Sequence, residues 1–109
     1  MFKTNEYYLK DMIEDLDFIE EHMAEKTKED LEADEVLTDS MVFRLIQISE
    51  TSKNLSEDFK ELHHDIPWND ITALRNRLVH DYGNVDMSIV YDTLTKDIPE
   101  LKIELEKLV

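Results

Sequence analysis

The sequence contains no cysteine, one glycine and two prolines among its 109 residues. Without cysteine the chain can form neither a disulfide nor a thiolate metal site, which fits a reducing cytosol. Because glycine and proline are so scarce and 36% of the residues are charged, the composition favours long helices over sheet. Hydrophobic residues make up 41%, too large a share for a disordered chain. We therefore expect a single domain spanning residues 1–109 with one core.

Basic residues are also scarce, since 12 Lys and Arg stand against 27 Asp and Glu and give a net charge of −15. General affinity for nucleic acid requires a surplus of Lys and Arg, so any RNA contact would have to be local. No apolar run approaches the roughly 20 residues needed to span a membrane. No apolar segment of the signal-peptide type follows the first residues either. We expect a cytoplasmic protein with no membrane partner.

Apolar residues recur at helical spacing through the first half of the chain. The pattern predicts a first helix over residues 5–26. Residues 27–37 are polar and weakly periodic, and we interpret them as a mobile connection with one turn at most. A second helix is expected to begin at a cap on Thr38 or Asp39 and to continue to about Leu62.

Four residues mark the expected starts and ends of helices in the second half of the chain. A third helix should start near Pro67, where the missing N–H costs nothing. Gly83 is placed to end it in the left-handed conformation. Asp86 should cap a fourth helix that Pro99 kinks or interrupts. Four or five helices with short connections predict an all-α, up-down bundle. Its core is predicted to include Leu9, Met12, Leu16, Ile19, Met23, Val42, Leu45, Ile46, Ile48, Leu55, Phe59, Ile71, Leu74, Leu78, Ile89, Val90, Leu94, Leu101, Leu105 and Leu108.

The most informative stretch is residues 73–82, Ala-Leu-Arg-Asn-Arg-Leu-Val-His-Asp-Tyr, which holds two of the three arginines. A local cationic island in so acidic a chain indicates a function. On one straight helix Arg75 and His80 lie about 140° apart, so their side chains converge poorly. Asn76 and His80 do share a face. A site that uses both Arg75 and His80 therefore requires either two chains across a two-fold axis or local unwinding around His80.

Residues 75–82 resemble the R-x-x-x-x-H-x-Y signature of HepT-like toxins in the HEPN superfamily. The resemblance extends over most of the chain, with Ile-Pro-Trp at 66–68 upstream and Val-Asp at 85–86 and Asp-Ile-Pro-Glu-Leu at 97–101 downstream. One departure is Ile-Ser-Glu-Thr at 48–51, where many relatives have Ile-Gly-Glu-Ala. The strongly acidic composition is a second departure.

The resemblance implies a helical bundle that forms a homodimer through the motif helix and acts on RNA as a metal-independent ribonuclease toxin. It also implies a partner, the minimal nucleotidyltransferase (MNT) antitoxin, which transfers AMP to the motif tyrosine. By position, Arg75 and His80 are the catalytic pair, Asn76 is a polar helper and Tyr82 is the modified residue. Arg77 lies on a third face, and we interpret it as a solvent or RNA-backbone contact. No cofactor is expected.

This chemistry is reasonable without a metal ion, because RNA carries its own nucleophile in the 2′-hydroxyl. A histidine can take or give the proton, and a guanidinium can clamp the phosphate and stabilise its developing charge. A two-fold axis would supply one histidine as base and another as acid, and cleavage would leave a cyclic phosphate. AMP on Tyr82 would add bulk and negative charge where the RNA phosphate should sit.

Plainer alternatives exist for each of these residues. Arg75 and Arg77 could simply pair with acids, His80 could be a surface histidine, and Tyr82 could only pack against the bundle. His63 and His64 splay about 100° apart on a helix and have no second pair at ligand spacing, so we expect no metal site. A second hypothesis is a non-catalytic helical adaptor whose motif helix binds a nucleotidyltransferase or a nucleotide.

Overall fold

The structure is a computed structural model that describes residues 3–109, and most of its helices have a short polar side chain as their N-terminal cap. Its α-helices are α1 (Asn5–Met23), α2 (Lys28–Ala33), α3 (Glu35–Ser52), α4 (Glu57–Leu62), α5 (Trp68–Asp81), α6 (Met87–Asp92) and α7 (Ile98–Glu106), with a 3₁₀ turn at Tyr82–Asn84 and a π-helical turn at Thr93–Asp97. Side chains of Thr4, Asp34, Ser56 and Asp86 accept hydrogen bonds from first-turn amides of α1, α3, α4 and α6. These bonds satisfy N–H groups that have no partner inside the helix.

The helices form one bundle around a shared core. Helix α1 packs against α3 and α7, and α5 packs against α3. Helix α6, the π-helical turn and α7 follow one another without a break, so the last helical element runs from residue 87 to residue 106. The largest fully buried side chains are those of Leu9, Met12, Leu16, Ile19, Leu31, Met41, Ile48, Leu94 and Leu105. The predicted all-α bundle is confirmed, although residues 3–109 contain seven α-helices where four or five were expected.

The prediction of a mobile connection at residues 27–37 is wrong. Thr27 and Asp30 form a reciprocal capping box, with hydrogen bonds of 3.0 and 2.9 Å, which starts α2. Leu31 is fully buried and attaches this short helix to the core. Helix α3 begins earlier than predicted, because Asp34 accepts from the Leu37 amide at 3.0 Å. Thr38 then lies inside the helix, where its hydroxyl donates to the Leu31 carbonyl at 2.6 Å.

The predicted second helix is divided in two. Helix α3 ends at Ser52, and a new cap at Ser56, 3.2 Å from the Phe59 amide, starts α4. Leu55 lies in the connection and is buried. Apolar spacing alone does not reveal this break between α3 and α4, because the buried Leu55 continues the helical spacing of apolar residues through the connection.

Three further predictions concern the second half of the chain. Gly83 does not have a positive φ; the chain leaves α5 through the 3₁₀ turn, in which the Val85 amide donates to the Tyr82 carbonyl at 3.1 Å. Ile89 is 40% exposed, so its placement in the core is wrong. The chain stays helical past Pro99, which lies in the first turn of α7, but the α-helical hydrogen-bond pattern is interrupted by the π-helical turn that precedes it. No helix within residues 3–109 is both long and apolar enough to cross a membrane.

Ser49 is an unusual feature of the core. Its side chain is fully buried in α3, and its hydroxyl has no hydrogen-bond partner within residues 3–109. The nearby Ser52 is also buried, but its hydroxyl donates to the Ser49 carbonyl at 2.7 Å. A buried hydroxyl without a partner lowers stability, because it loses its bonds to water and gains none in the protein.

We therefore predict that Ser49→Ala raises the free energy of unfolding by about 1 kcal/mol relative to Ser52→Ala, since only Ser52 loses a hydrogen bond. Urea denaturation of the two variants and the wild type checks this. Equal effects of the two substitutions would show that the Ser49 hydroxyl carries no desolvation cost.

Candidate active site

Helix α5 presents the motif residues, and several contacts fix its position. It begins immediately after Pro67, as predicted. The Trp68 indole N–H donates to the His63 carbonyl at 3.1 Å, which ties the start of α5 to the end of α4. Leu78 is buried against the core, while Ile71 and Leu74 are partly buried beside it. The face of α5 that points to the core is thus set, and the directions of the motif side chains follow from it.

Arg75 is held by a residue of another helix. Its Nε donates to Glu50 Oε1 of α3 at 2.6 Å, and its Nη1 donates to Asn76 Oδ1 at 3.1 Å. Lys53 Nζ lies 3.3 Å from the same Glu50 oxygen. The bond from Lys53, aided by Arg75, lowers the pKa of the Glu50 carboxyl against the opposing effect of burial. Glu50 is therefore ionised at neutral pH, and the pairing of Arg75 with an acid is observed.

His80 lies apart from this cluster. Its side chain is exposed and makes no hydrogen bond or ion pair within the described residues. Helix α5 continues through Asp81, so the backbone at His80 is not unwound. Five residues on an unbroken helix leave Arg75 and His80 on faces about 140° apart. A single chain thus brings Arg75, Asn76 and Glu50 together, and no side-chain hydrogen bond or ion pair within the described residues joins His80 to them.

Tyr82 begins the 3₁₀ turn at the end of α5 and is 38% exposed. Partial burial raises the pKa of its hydroxyl, and the carboxylates of Asp39 and Glu35 at the start of α3 add to this rise. The hydroxyl is therefore protonated at neutral pH. The end of α5 and the start of α3 lie close enough for their charges to interact.

The three arginines have different surroundings. Arg44 is part of the fold, with Nη1 2.8 Å from Asp15 Oδ1 and its guanidinium over the Phe18 ring at 3.9 Å. Arg77 is exposed and has no ion pair within residues 3–109, which leaves it available for a phosphate. Cationic groups at the surface of this acidic chain thus include both motif arginines.

Two stripes of residues form an open face, which we call the α3/α5 face. On α3 the stripe consists of Val36, Phe43 and Glu50, at a spacing of seven residues. The second stripe consists of Arg75 and Val79 on α5 and Tyr82 directly after it. The Glu50–Arg75 ion pair joins the two stripes at one end. Phe43 and Val79 are 55% and 44% exposed, so apolar side chains of this face are uncovered.

Sequence reasoning missed Glu50 and Lys53 as members of this site. The available signal was the segment Ile-Ser-Glu-Thr at 48–51, which matches the Ile and Glu of the family pattern.

No group of three or more metal-ligating side chains converges within residues 3–109. The His63 ring packs against Phe59 with 4.6 Å between centroids, and His64 Nδ1 lies 3.1 Å from the Glu61 carbonyl oxygen.

Comparison with known proteins identifies relatives over the whole chain. A family model described as "Ribonuclease HepT-like" matches residues 12–108. A "Probable ribonuclease HepT" from Thermococcus cleftensis is 38% identical over 108 residues, which cover 99% of this chain and 98% of that protein. A "Putative RNase" from Caldanaerobacter subterraneus subsp. tengcongensis is 35% identical, covering 97% of this chain and 95% of that protein. No solved structure matches the chain significantly.

The surroundings of Tyr82 predict a pH dependence. Because Asp39 and Glu35 oppose the phenolate, Asp39→Asn should lower the pKa of Tyr82 toward the value of a free tyrosine. In the wild type, the raised pKa means that folding stability is lost as the pH rises above about 10 and through the pKa of the folded state. NMR titration of ring-labelled tyrosine, assigned with Tyr82→Phe, measures the shift. An unchanged pKa in Asp39→Asn would show that the two helix ends do not interact.

Proposed function

Since the chain belongs to the HepT-like ribonuclease family of the HEPN superfamily, we propose that it is an endoribonuclease toxin that acts as a homodimer and needs no metal ion. The observation that carries this proposal is the intact motif, with Arg75 and His80 on the unbroken helix α5 and Tyr82 directly after it, in an all-α chain that matches the family model over residues 12–108. The names of the relatives support RNA as the substrate. Because the net charge is −15, RNA is held locally at the motif rather than by the whole surface.

Two features of α5 and its surroundings support the proposed dimer. On an unbroken helix Arg75 and His80 of one chain lie on faces about 140° apart, which favours a site in which the arginine of one protomer works with the histidine of the other. The α3/α5 face offers uncovered apolar side chains beside Arg75, and burial of Phe43 and Val79 would stabilise the association. A two-fold axis through this face buries the same patch on both subunits and brings the outer edges of both motif helices together.

At such a composite site, one His80 removes the proton from the ribose 2′-hydroxyl, whose oxygen attacks the adjacent phosphorus. The other His80 gives a proton to the leaving 5′-oxygen, so that the products are a 2′,3′-cyclic phosphate and a 5′-hydroxyl. Arg75 stabilises the charge that develops on the phosphate oxygens. Asn76 supports Arg75 through the hydrogen bond already described, and Arg77 contacts the RNA backbone.

Tyr82 provides the means of control. It is the site at which an MNT nucleotidyltransferase antitoxin attaches AMP: the tyrosine oxygen attacks the α-phosphorus of ATP, pyrophosphate leaves, and the hydroxyl proton is lost. Since the hydroxyl is protonated at neutral pH, the antitoxin has to supply a base. The added phosphate lies on the α3/α5 face, two residues from His80, and repels RNA there.

We predict that the two copies of His80 act together. When wild type and His80→Ala are unfolded, mixed in equal amounts and refolded, only about a quarter of the dimers are wild type on both sides. RNA cleavage should fall to about that fraction, whereas a site within one chain would retain about half. Arg75→Ala and His80→Ala alone should be inactive with unchanged circular dichroism. Cleavage by neither the wild type nor the variants, combined with tight binding of the antitoxin, would favour the adaptor hypothesis instead.

The second prediction concerns the modification. Incubation with an MNT nucleotidyltransferase and ATP should add one AMP to Tyr82 and abolish cleavage. Peptide mass spectrometry locates the adduct. Tyr82→Phe should remain unmodified, while Tyr91→Phe, which removes a hydroxyl bonded to the Lys26 carbonyl, serves as the matched control and should be modified normally. An adduct on any other residue would contradict the assignment.

A further inference from the structure

We propose that Glu50 positions Arg75 for catalysis and that Lys53 is a second cation for the RNA phosphate. This inference rests on the ribonuclease function proposed above and names Glu50 on α3 and Lys53 directly after it as parts of the same site. Glu50 touches Arg75 rather than the substrate, so its effect is exerted through the guanidinium.

The bonds of Arg75 leave one edge of its guanidinium available. Glu50 takes the Nε hydrogen and Asn76 takes one hydrogen of Nη1. The Nη2 group has no hydrogen-bond partner among residues 3–109, so its two donors can reach a phosphate. A long side chain held at Nε loses its rotamer freedom before the substrate arrives, which leaves less entropy to be lost in the bound state. Glu50 thus preorganises the edge that stabilises the developing charge.

The second part of the inference concerns charge. A carboxylate beside Arg75 would by itself neutralise the cation and weaken its attraction for phosphate. Lys53 Nζ and Arg75 Nε, however, both bind Glu50 Oε1, at 3.3 and 2.6 Å. The three groups together carry one net positive charge in a chain whose total is −15. The Lys53 side chain is 45% exposed, so its ammonium group can contact a phosphate held by Arg75.

A similar pair elsewhere provides the control. Glu104 on α7 and Lys107 directly after that helix are also three residues apart, with their charged atoms at 2.9 Å. Neither residue makes an ion pair with another helix within the described residues, unlike Glu50, which reaches a residue 25 positions later. Equivalent substitutions at Glu104 and Lys107 therefore change the same charges without touching Arg75.

The positioning role is tested by comparing Glu50→Gln with Glu50→Ala. Both remove the same charge, but only glutamine retains an oxygen that can accept the Arg75 Nε hydrogen. We expect Glu50→Ala to lower kcat about tenfold with a small change in KM, while Glu50→Gln keeps most of the wild-type kcat. Glu104→Ala and Glu104→Gln should leave kcat unchanged. Equal kcat values for Glu50→Ala and Glu50→Gln at matched thermal stability would overturn the positioning role.

If Glu50→Ala is less stable than the wild type, a measurement that does not depend on activity can still test the positioning role. In the wild type, the Nε–H signal of Arg75 in a proton–nitrogen NMR spectrum should be shifted downfield and protected from exchange. It should remain so in Glu50→Gln and be lost in Glu50→Ala at a temperature where both are folded. An unprotected Nε–H signal in the wild type would also contradict the proposal.

The role of Lys53 is tested by the salt dependence of RNA binding. Lys53→Met should raise KM and reduce the slope of log affinity against log salt by about 0.7, the value for one phosphate contact on a single strand. Lys107→Met should leave the slope unchanged. If Lys53→Met behaves like Lys107→Met, Lys53 contacts no phosphate. If Arg75→Ala and His80→Ala cleave RNA as well as the wild type does, the proposed function is wrong. If those two variants are inactive but the Glu50 and Lys53 variants behave as wild type, only this inference is wrong.

Discussion

The arrangement of the candidate site depends on one constraint, the continuity of α5 between Arg75 and His80. Five residues on a regular helix separate the two side chains by about 140°, and no local unwinding of α5 reduces this angle. The ion pair with Glu50 holds Arg75 on the side of α5 that faces α3. His80 lies on a different side of α5. In the proposed dimer, a second subunit supplies the group that completes the site. Helical geometry supports that proposal in addition to family membership.

The sequence predicts the helices better than it predicts their ends. Apolar spacing predicts α1, α3 and α5, since each of these long helices turns one regular apolar stripe toward the core, although in α5 only Leu78 of that stripe is fully buried. It failed at residues 27–37, where a single buried residue, Leu31, is enough to hold a short capped helix. It failed again after Ser52, where Leu55 is buried in a connection and continues the pattern. Several polar residues near each boundary could act as caps, and only tertiary packing selects among them.

The motif residues could be identified from the sequence, but their surroundings could not. The match at Arg75, His80 and Tyr82 is local, so spacing and family resemblance were sufficient to find them. The partner of Arg75 is one of 27 acidic residues and lies 25 positions earlier on another helix. Only the packing of α3 against α5 selects Glu50. The same packing places Asp39 and Glu35 near Tyr82, which no pattern within residues 73–82 could indicate.

The π-helical turn at Thr93–Asp97 has a consequence for how the chain can vary in length. Val90, Leu94 and Ile98 are all buried, although they follow one another at steps of four residues. In a regular α-helix each such step rotates the side chain by about 40°, and the wider π-turn absorbs this rotation. A one-residue deletion within the turn converts it to an ordinary α-helical turn and leaves both flanking halves in register with the core. Homologous chains that differ by one residue at this point can therefore share the same bundle.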